Sequence, residues 1–147
     1  MTAKSNVIGV PRFTETTDLT IPTLTILDAD GKLRKNAHEP AIDKATALKI
    51  YENMAYIRVL DERMVAAQRQ GRLSFYLTCT GEEASVVGSI AGFKSHDMVM
   101  SQYREQAALR YRGFSSEQFM NQLLSNDLDL GKGRQMPIHY GSRELNY

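Results

Sequence analysis

The chain has 147 residues, of which 42% are hydrophobic and 24% charged, and its formal net charge is +1. This length and composition are typical of one soluble globular domain with a substantial core. The small net charge gives no strong field for nucleic acid or an acidic membrane surface, and no apolar run reaches the ~20 residues of a membrane span. The single cysteine, Cys79, excludes a disulfide within the chain and favours a reducing compartment.

Residues 1–22 are expected to form an extended arm, because prolines flank a polar run that has no sustained periodicity. The first ten residues show neither a secretory apolar core nor an Arg-rich amphipathic pattern. This favours the bacterial cytoplasm, with the mitochondrial matrix as the alternative for a protein in mature form. Residues 24–27 and Leu33 are predicted to form two short strands around a turn with Gly31 at positive φ.

A long helix is predicted from Asp43, as its N-cap, to about Gln70, with Gly71 ending it. Apolar side chains recur along it at helical spacing, which is typical of a face in a core or a subunit interface. This stripe contains Ile50, Met54, Ile57 and Met64.

Two capping boxes are predicted further along the chain. Thr80 and Glu83 have the required spacing, with Thr80 as N-cap and Glu83 as the third helical residue. Ser115 and Gln118 repeat the pattern before another helix. Cys79, which has no basic neighbour in sequence, is interpreted as a small buried apolar residue rather than a nucleophile.

Arg104 is the candidate for anion binding. It lies where a predicted buried strand at residues 97–100 gives way to a predicted helix at residues 103–111. A helix N-terminus favours phosphate, and a guanidinium there adds a forked, permanently charged donor. Tyr103 could add a hydroxyl donor. The alternative is a solvated surface charge, which is the more common role of an arginine.

Two further segments carry weaker signals. The loop at residues 131–141 combines glycines with basic side chains but lacks the spacing of a nucleotide-binding loop, so a structural loop held by ion pairs is an equal alternative. Phe75 and Tyr76 could wall an apolar pocket, with core packing as the alternative. The three histidines have no metal-site spacing. The residues alone thus indicate a soluble, mostly helical domain with an anion-binding candidate at Arg104.

Four segments, taken in order and at their spacing, resemble the alpha subunit of the 2-oxo acid dehydrogenase decarboxylating component. They are QRQGRLSFY at residues 68–76, TGEEA at 80–84, QYRE at 102–105 and GKGRQMPIHYG at 131–141. The Ser-Phe-Tyr in the first segment is similar to the branched-chain 2-oxoisovalerate type, with a pyruvate-type homologue as the alternative. The resemblance covers roughly residues 22–147.

The resemblance implies an α/β fold, namely the N-terminal part of a doubly wound thiamine-diphosphate-binding fold, mostly helical in the part present. Residues 1–22 would be the arm and residues 23–147 a truncated portion of the cofactor domain. The family assembles two alpha and two beta chains, with thiamine diphosphate and magnesium at their interface. The implied function is decarboxylation of a branched-chain 2-oxo acid, with transfer of the acyl group to a lipoyl arm of the acyltransferase core.

The resemblance also implies roles for particular residues. Gln102, Tyr103 and Arg104 would contact the cofactor, with Arg104 on a diphosphate oxygen. Phe75 would line the substrate pocket with Tyr76 supporting it, and His139 would lie near the cofactor channel. The family's magnesium ligands would lie outside this chain, so the chain alone is expected to be inactive. The alternative function is a non-catalytic module that docks onto the beta subunit.

Overall fold

The computed structural model describes residues 7–11 and 22–147. The chain divides into two compact units, Met1–Ile42 and Asp43–Tyr147. The predicted arm at residues 1–22 lies largely outside the described residues, so its boundary remains a prediction.

The first unit contains a small pair of strands. β1 (Val7–Ile8) runs parallel to β2 (Thr23–Leu24), with Val7 opposite Thr23. Leu27 and Leu33 form one antiparallel bridge around a turn in which Gly31 has φ +76°. The predicted turn is therefore confirmed, but its two flanking strands are reduced to a single bridge.

The second unit begins with the predicted long helix, α1 (Lys44–Arg69). The side chain of Asp43 accepts a hydrogen bond of 2.7 Å from the backbone N–H of Thr46, as an N-cap does. After the last turn Gly71 has φ +72°, a conformation that glycine adopts at little cost. Both predicted limits of the helix are confirmed.

Three shorter helices follow: α2 (Glu83–Ala91), α3 (Gln106–Tyr111) and α4 (Ser116–Leu123). The chain then forms a single 3-10 turn at Arg143–Leu145. Helices α1, α2 and α3 pack against one another. The core at their contact contains Ile57, Cys79, Val87, Leu109, Phe114 and Phe119. Among the described residues, none of the helices has the length and apolarity needed to cross a lipid bilayer.

Of the two predicted capping boxes, the second is confirmed and the first is wrong. Ser115 accepts from the backbone N–H of Gln118, and the Gln118 side chain accepts from the N–H of Ser115. At the other position Glu83 is the first helical residue rather than the third, so Thr80 lies outside capping distance in sequence. The Glu83 carboxylate instead accepts from the N–H of Gly81 at 2.7 Å.

The predicted buried strand at residues 97–100 is also wrong. A strand requires a hydrogen-bonded neighbouring strand, and none pairs with this segment among the described residues. Instead, the N–H of Val99 donates to the carbonyl of Asn146, and Met100 is 94% exposed. The following helix begins at Gln106, three residues later than predicted, because residues 103–104 form a turn.

One arginine joins two separate parts of the second unit. The guanidinium of Arg112, which ends α3, donates hydrogen bonds to four backbone carbonyls. These belong to Lys94, Asp97, Leu145 and Asn146, at 3.2, 2.7, 2.9 and 2.9 Å. The segment before α3 and the 3-10 turn are thereby held by one side chain.

The described part of the chain is mostly helical, as expected. Its paired strands are limited to β1, β2 and the single bridge between Leu27 and Leu33. The doubly wound sheet implied by the resemblance therefore remains a prediction.

Candidate functional site

A cleft of about 1070 Å³ lies in the second unit. One wall comes from the segment before α3 and from α3 itself, including Gln102, Tyr103 and Gln106. The opposite wall comes from the loop after α4, including Gly131, His139 and Tyr140. The cleft therefore brings together two of the four segments that carry the resemblance.

Two of the three predicted cofactor residues, Gln102 and Tyr103, line this cleft. The turn that presents them is closed by Glu105, whose carboxylate accepts from the backbone N–H of Gln102 at 2.6 Å. The N–H of Glu105 in turn donates to the carbonyl of Gln102 at 3.2 Å. A carboxylate placed before α3 thus sets the conformation of the turn through local hydrogen bonds.

Arg104, the third predicted cofactor residue, is half-buried beside the cleft and is not part of its lining. Its Nη1 donates to the carbonyl of Thr78 at 2.8 Å, and its guanidinium carbon lies 5.7 Å from the ring centroid of Tyr103. Within the described residues no carboxylate forms an ion pair with it. The guanidinium is therefore tethered at one end while its positive charge is uncompensated by a neighbouring acid.

The Thr78 carbonyl, which accepts from Arg104, belongs to a segment that a buried aspartate holds by hydrogen bonds. Asp61, on α1, is 1% exposed. Its Oδ1 accepts from the Tyr76 hydroxyl and its Oδ2 from the N–H of Cys79, both at 2.7 Å. Burial raises the pKa of the Asp61 carboxyl above its ordinary range, although these hydrogen bonds act in the opposite direction.

Sequence reasoning did not identify Asp61. A signal was present, because Asp61 falls four residues after Ile57 and three before Met64, on the apolar stripe of α1. An acid in such a stripe has to find hydrogen-bond donors in the interior. The pattern alone did not indicate which donors these are.

Gln106 holds the same segment from α3. This side chain is 1% exposed, and its Nε2 donates to the carbonyl of Leu77 at 3.1 Å. Nε2 also lies 3.4 Å from Oδ1 of Asp61. The Gln106 Oε1 has no hydrogen-bond partner among the described residues.

The predicted substrate residues fall into two groups. His139 is exposed and lines the cleft, and its Nδ1 lies 3.1 Å from the carbonyl of Pro137. Phe75 is half-buried and Tyr76 is buried, and both pack in an apolar cluster with Leu73 and Ile138 rather than in the cleft lining. Burial and the Asp61 carboxylate raise the pKa of the Tyr76 hydroxyl, which acts as a hydrogen-bond donor.

The glycine-rich loop is organised by an acid rather than by ion pairs. Asp129 is buried, and its two carboxylate oxygens accept from the N–H groups of Gly131 and Gly133 at 3.1 and 2.8 Å. The basic side chains of Lys132 and Arg134 are exposed and lie outside the cleft lining. The loop therefore contributes to the cleft lining through residues other than its two cations.

The remaining reactive groups offer no second site among the described residues. Cys79 is fully buried and unpaired, and burial raises the pKa of its thiol, so the prediction of a small buried residue is confirmed. In the part of the chain that the structure describes, no group of three or more His, Cys, Asp or Glu could hold a metal ion.

Comparisons with known proteins show which family this chain is similar to. A family described as the dehydrogenase E1 component matches residues 51–146. The 2-oxoisovalerate dehydrogenase subunit alpha 1, mitochondrial, of Arabidopsis thaliana is 47% identical over 133 residues, which is 90% of this chain and 28% of the relative. The mitochondrial 2-oxoisovalerate dehydrogenase subunits alpha of Caenorhabditis elegans and Homo sapiens are each 42% identical over 127 residues. That is 86% of this chain and 30% and 28% of the relatives.

The chain thus spans less than a third of the length of these relatives. The matched residues nevertheless include α1 to α4 in large part, the turn at residues 102–105 and the loop that forms the opposite wall of the cleft. By this match over more than half of its length, the chain belongs to the dehydrogenase E1 component family.

Proposed function

We propose that this chain forms part of the alpha subunit of a thiamine-diphosphate-dependent dehydrogenase that decarboxylates branched-chain 2-oxo acids and passes the acyl group to a lipoyl arm. The support from sequence is the 42–47% identity to subunits named 2-oxoisovalerate dehydrogenase alpha. The same names favour the branched-chain type over the pyruvate type. The complete subunit would have the doubly wound fold of which this chain supplies the helical N-terminal part.

The observation that carries the proposal is the position of Arg104. Arg104 is half-buried, its guanidinium is tethered to Thr78 at one nitrogen, and the guanidinium carbon lies 5.7 Å from the ring centroid of Tyr103, which lines the cleft. A guanidinium has several N–H donors, so one bond to a carbonyl leaves others for an anion. The residues present therefore fit the diphosphate of the cofactor. Magnesium would be held by residues outside this chain, as the resemblance to the family implies.

When bound, thiamine diphosphate supplies a ring that bonds to the keto carbon and accepts the electrons released as carbon dioxide leaves. The residues of this chain have simpler roles. Arg104 binds a diphosphate oxygen, the Tyr103 hydroxyl donates a second hydrogen bond, and the Gln102 amide orients the bound group from the same turn. A fixed cation stabilises negative charge on the diphosphate without the reorganisation that solvent would require.

For the substrate, we propose roles for His139, which lines the cleft together with Tyr103, and for Phe75, which packs in the apolar cluster that shares Ile138 with the cleft lining. An apolar wall suits a branched aliphatic chain. Tyr76 supports Phe75 from the core, through its hydrogen bond to Asp61.

The partners in this proposal are the beta subunit, in an assembly of two alpha and two beta chains, and the lipoyl acyltransferase core. The word "subunit" in the names of the relatives supports an assembly. Those relatives are mitochondrial by name, which supports the mitochondrial matrix over the bacterial cytoplasm as the location of this chain.

A second candidate function is a non-catalytic module that docks onto the beta subunit. The observation in its favour is an exposed apolar line on α1. Leu48, Tyr51 and Val59 are each about half or more exposed, and Ala55 lies between them at helical spacing.

The test is the affinity for thiamine diphosphate of the complete alpha subunit assembled with its beta subunit, measured by calorimetry. Arg104→Ala is expected to weaken binding by about 1.5–3 kcal/mol, which is about 10- to 150-fold in Kd. Arg63→Ala, a matched change at an exposed position of α1, is expected to leave Kd unchanged. Equal affinity in both variants would overturn the proposal. Capture of the beta subunit that is independent of the cofactor, without cofactor binding, would support the docking module.

A further inference from the structure

The tether of Arg104 depends on a group that lies far from it in sequence. Thr78, whose carbonyl accepts from Arg104, sits between two residues that donate to the buried carboxylate of Asp61. The Tyr76 hydroxyl donates to Oδ1 and the Cys79 N–H donates to Oδ2, each at 2.7 Å. The two oxygens of the Asp61 carboxylate thus hold Tyr76 and Cys79, which lie before and after Thr78 in sequence, and the Thr78 carbonyl accepts from the Arg104 guanidinium.

The same short segment is held on its other side by α3. Nε2 of Gln106 donates to the carbonyl of Leu77, the residue before Thr78. Because α3 directly follows the turn that carries Arg104, this bond fixes the distance between that turn and the segment. Residues 76–79 therefore form a bridge between α1 and the turn, with Asp61 as its attachment to α1.

We propose that Asp61 is a positioning residue for anion binding: by holding residues 76–79, it places the Thr78 carbonyl so that the Arg104 guanidinium is pre-oriented beside Tyr103, which lines the cleft. The proposal rests on the proposed function, since Arg104 is the anion-binding group there. A side chain as long as arginine loses conformational freedom when it binds, and a tether that orders it beforehand reduces this loss. A purely structural Asp61 would instead affect stability alone.

The test variant is Asp61→Asn. The asparagine keeps the size of the side chain and one acceptor oxygen for Tyr76, but its NH₂ group would face the N–H of Cys79, so that bond is lost. The matched control is Ile57→Val, one turn earlier on α1 and equally buried. The control removes one buried methyl group and lowers stability without changing any hydrogen bond of the bridge.

The first readout is the tether itself. In the full 147-residue chain with ¹⁵N-labelled arginine, NMR measures how fast the guanidinium protons of Arg104 exchange with solvent, with Arg104→Lys identifying the signal. Asp61→Asn is expected to accelerate this exchange by about three- to tenfold, the range of one neutral hydrogen bond, and Ile57→Val by less than about twofold. Equal rates in the two variants would overturn the proposal.

The second readout is the Kd for thiamine diphosphate of the complete alpha subunit assembled with its beta subunit. Asp61→Asn is expected to raise it by about three- to tenfold, without a further increase when combined with Arg104→Ala, because the two act through one contact. If Arg104→Ala weakens binding and Asp61→Asn does not, the positioning role is wrong. If Arg104→Ala has no effect, the proposed function fails, and the exchange rates still decide whether Asp61 orients Arg104.

Should Asp61→Asn fail to fold, Tyr76→Phe replaces it in both measurements. The phenylalanine keeps the aromatic ring and removes the hydroxyl that donates to Asp61. The same acceleration of Arg104 exchange is expected, and an unchanged rate would overturn the proposal.

Discussion

The ring of Tyr140 meets the ring of Phe119 edge-on, with centroids 4.9 Å apart and ring planes at 87°. Phe119 is fully buried on α4, whereas Tyr140 lines the cleft. Phe114 completes the group, 4.9 Å from Phe119 and 6.0 Å from Tyr140. The wall of the cleft is therefore continuous with the aromatic part of the core.

This contact predicts a measurable loss of stability in Phe119→Leu. The smaller side chain leaves a cavity and removes the edge-on contacts, so the free energy of unfolding in urea is expected to fall by about 1–3 kcal/mol. Phe93→Leu is the matched control, because Phe93 is 52% exposed. Its unfolding free energy is expected to change by less than about 0.5 kcal/mol. Equal losses would show that the aromatic group does not support the core.

The two predicted caps give a second test, since only one of them exists in the structure. Ser115→Ala removes the acceptor of the Gln118 N–H and is expected to lower the free energy of unfolding by about 1 kcal/mol. Thr80→Ala is expected to be close to neutral, because α2 begins at Glu83 and the exposed Thr80 does not cap it. A loss for Thr80→Ala as large as for Ser115→Ala would contradict the observed start of α2.

The buried carboxyl of Asp61 makes stability depend on pH in a definite direction. Its pKa is raised above 3.8 by burial, so the folded chain keeps this proton at a higher pH than the unfolded chain. Its protonation therefore stabilises the fold, fully below the ordinary pKa, and the effect is lost as pH rises through the folded-state value. The unfolding free energy of the wild type relative to Asp61→Asn is expected to increase as pH is lowered toward 3.8.

Glu83 is the control for this pH experiment because its shift has the opposite sign. Its own backbone N–H, that of Gly81 and the Arg58 guanidinium hold the pKa of Glu83 below 4.5, against a smaller effect of burial. Its contribution is present above 4.5 and lost as pH falls through the folded-state value. The difference between wild type and Glu83→Gln should therefore shrink toward low pH. If the difference in unfolding free energy from the wild type changed with pH in the same direction for Asp61→Asn and Glu83→Gln, the direction of one of the two pKa shifts would be wrong.

Cys79 is expected to be unreactive in the folded chain. Burial, and next the charge of Asp61, raise the pKa of its thiol, and the side chain is inaccessible to solvent. Alkylation by iodoacetamide at about pH 8 should be at least ~100-fold slower than in the urea-unfolded chain. In Cys79→Ala combined with Ser89→Cys, the new thiol lies on the exposed side of α2 and should react rapidly. Comparable rates would contradict the observed burial of Cys79.

The parts of the fold that sequence predicted well are those fixed by neighbouring residues. Asp43 and Gly71 set the limits of α1, and Ser115 with Gln118 sets the start of α4, each through bonds within three or four residues. The strand predicted at residues 97–100 failed for the opposite reason. An extended apolar segment becomes a strand only with a partner, and sequence spacing does not supply one.

In the candidate site, too, the features fixed by neighbouring residues could be predicted and the contacts between distant residues could not. The segment at residues 102–105 could be selected as a cofactor-binding candidate, because the residues that resemble the family are contiguous, but its turn was predicted as the start of a helix. The contact that orients Arg104 could not, since Thr78 is 26 residues away in sequence. Nor could the convergence of Tyr76, Cys79 and Gln106 on Asp61, which requires helices α1 and α3 to be packed first.

Arg112 donates hydrogen bonds to four backbone carbonyls, and these bonds couple two stretches of the chain that border the cleft. Lys94 and Asn146 belong to stretches about fifty positions apart, and they accept from Nη2 and Nη1 of the same guanidinium, so displacement of the Arg112 side chain would break both hydrogen bonds. Local melting should consequently involve both stretches at once, as a single cooperative foldon. Met98 and Arg143, which border the cleft, lie next to these anchors, so the opening into which a cofactor would enter is expected to loosen or tighten as one piece.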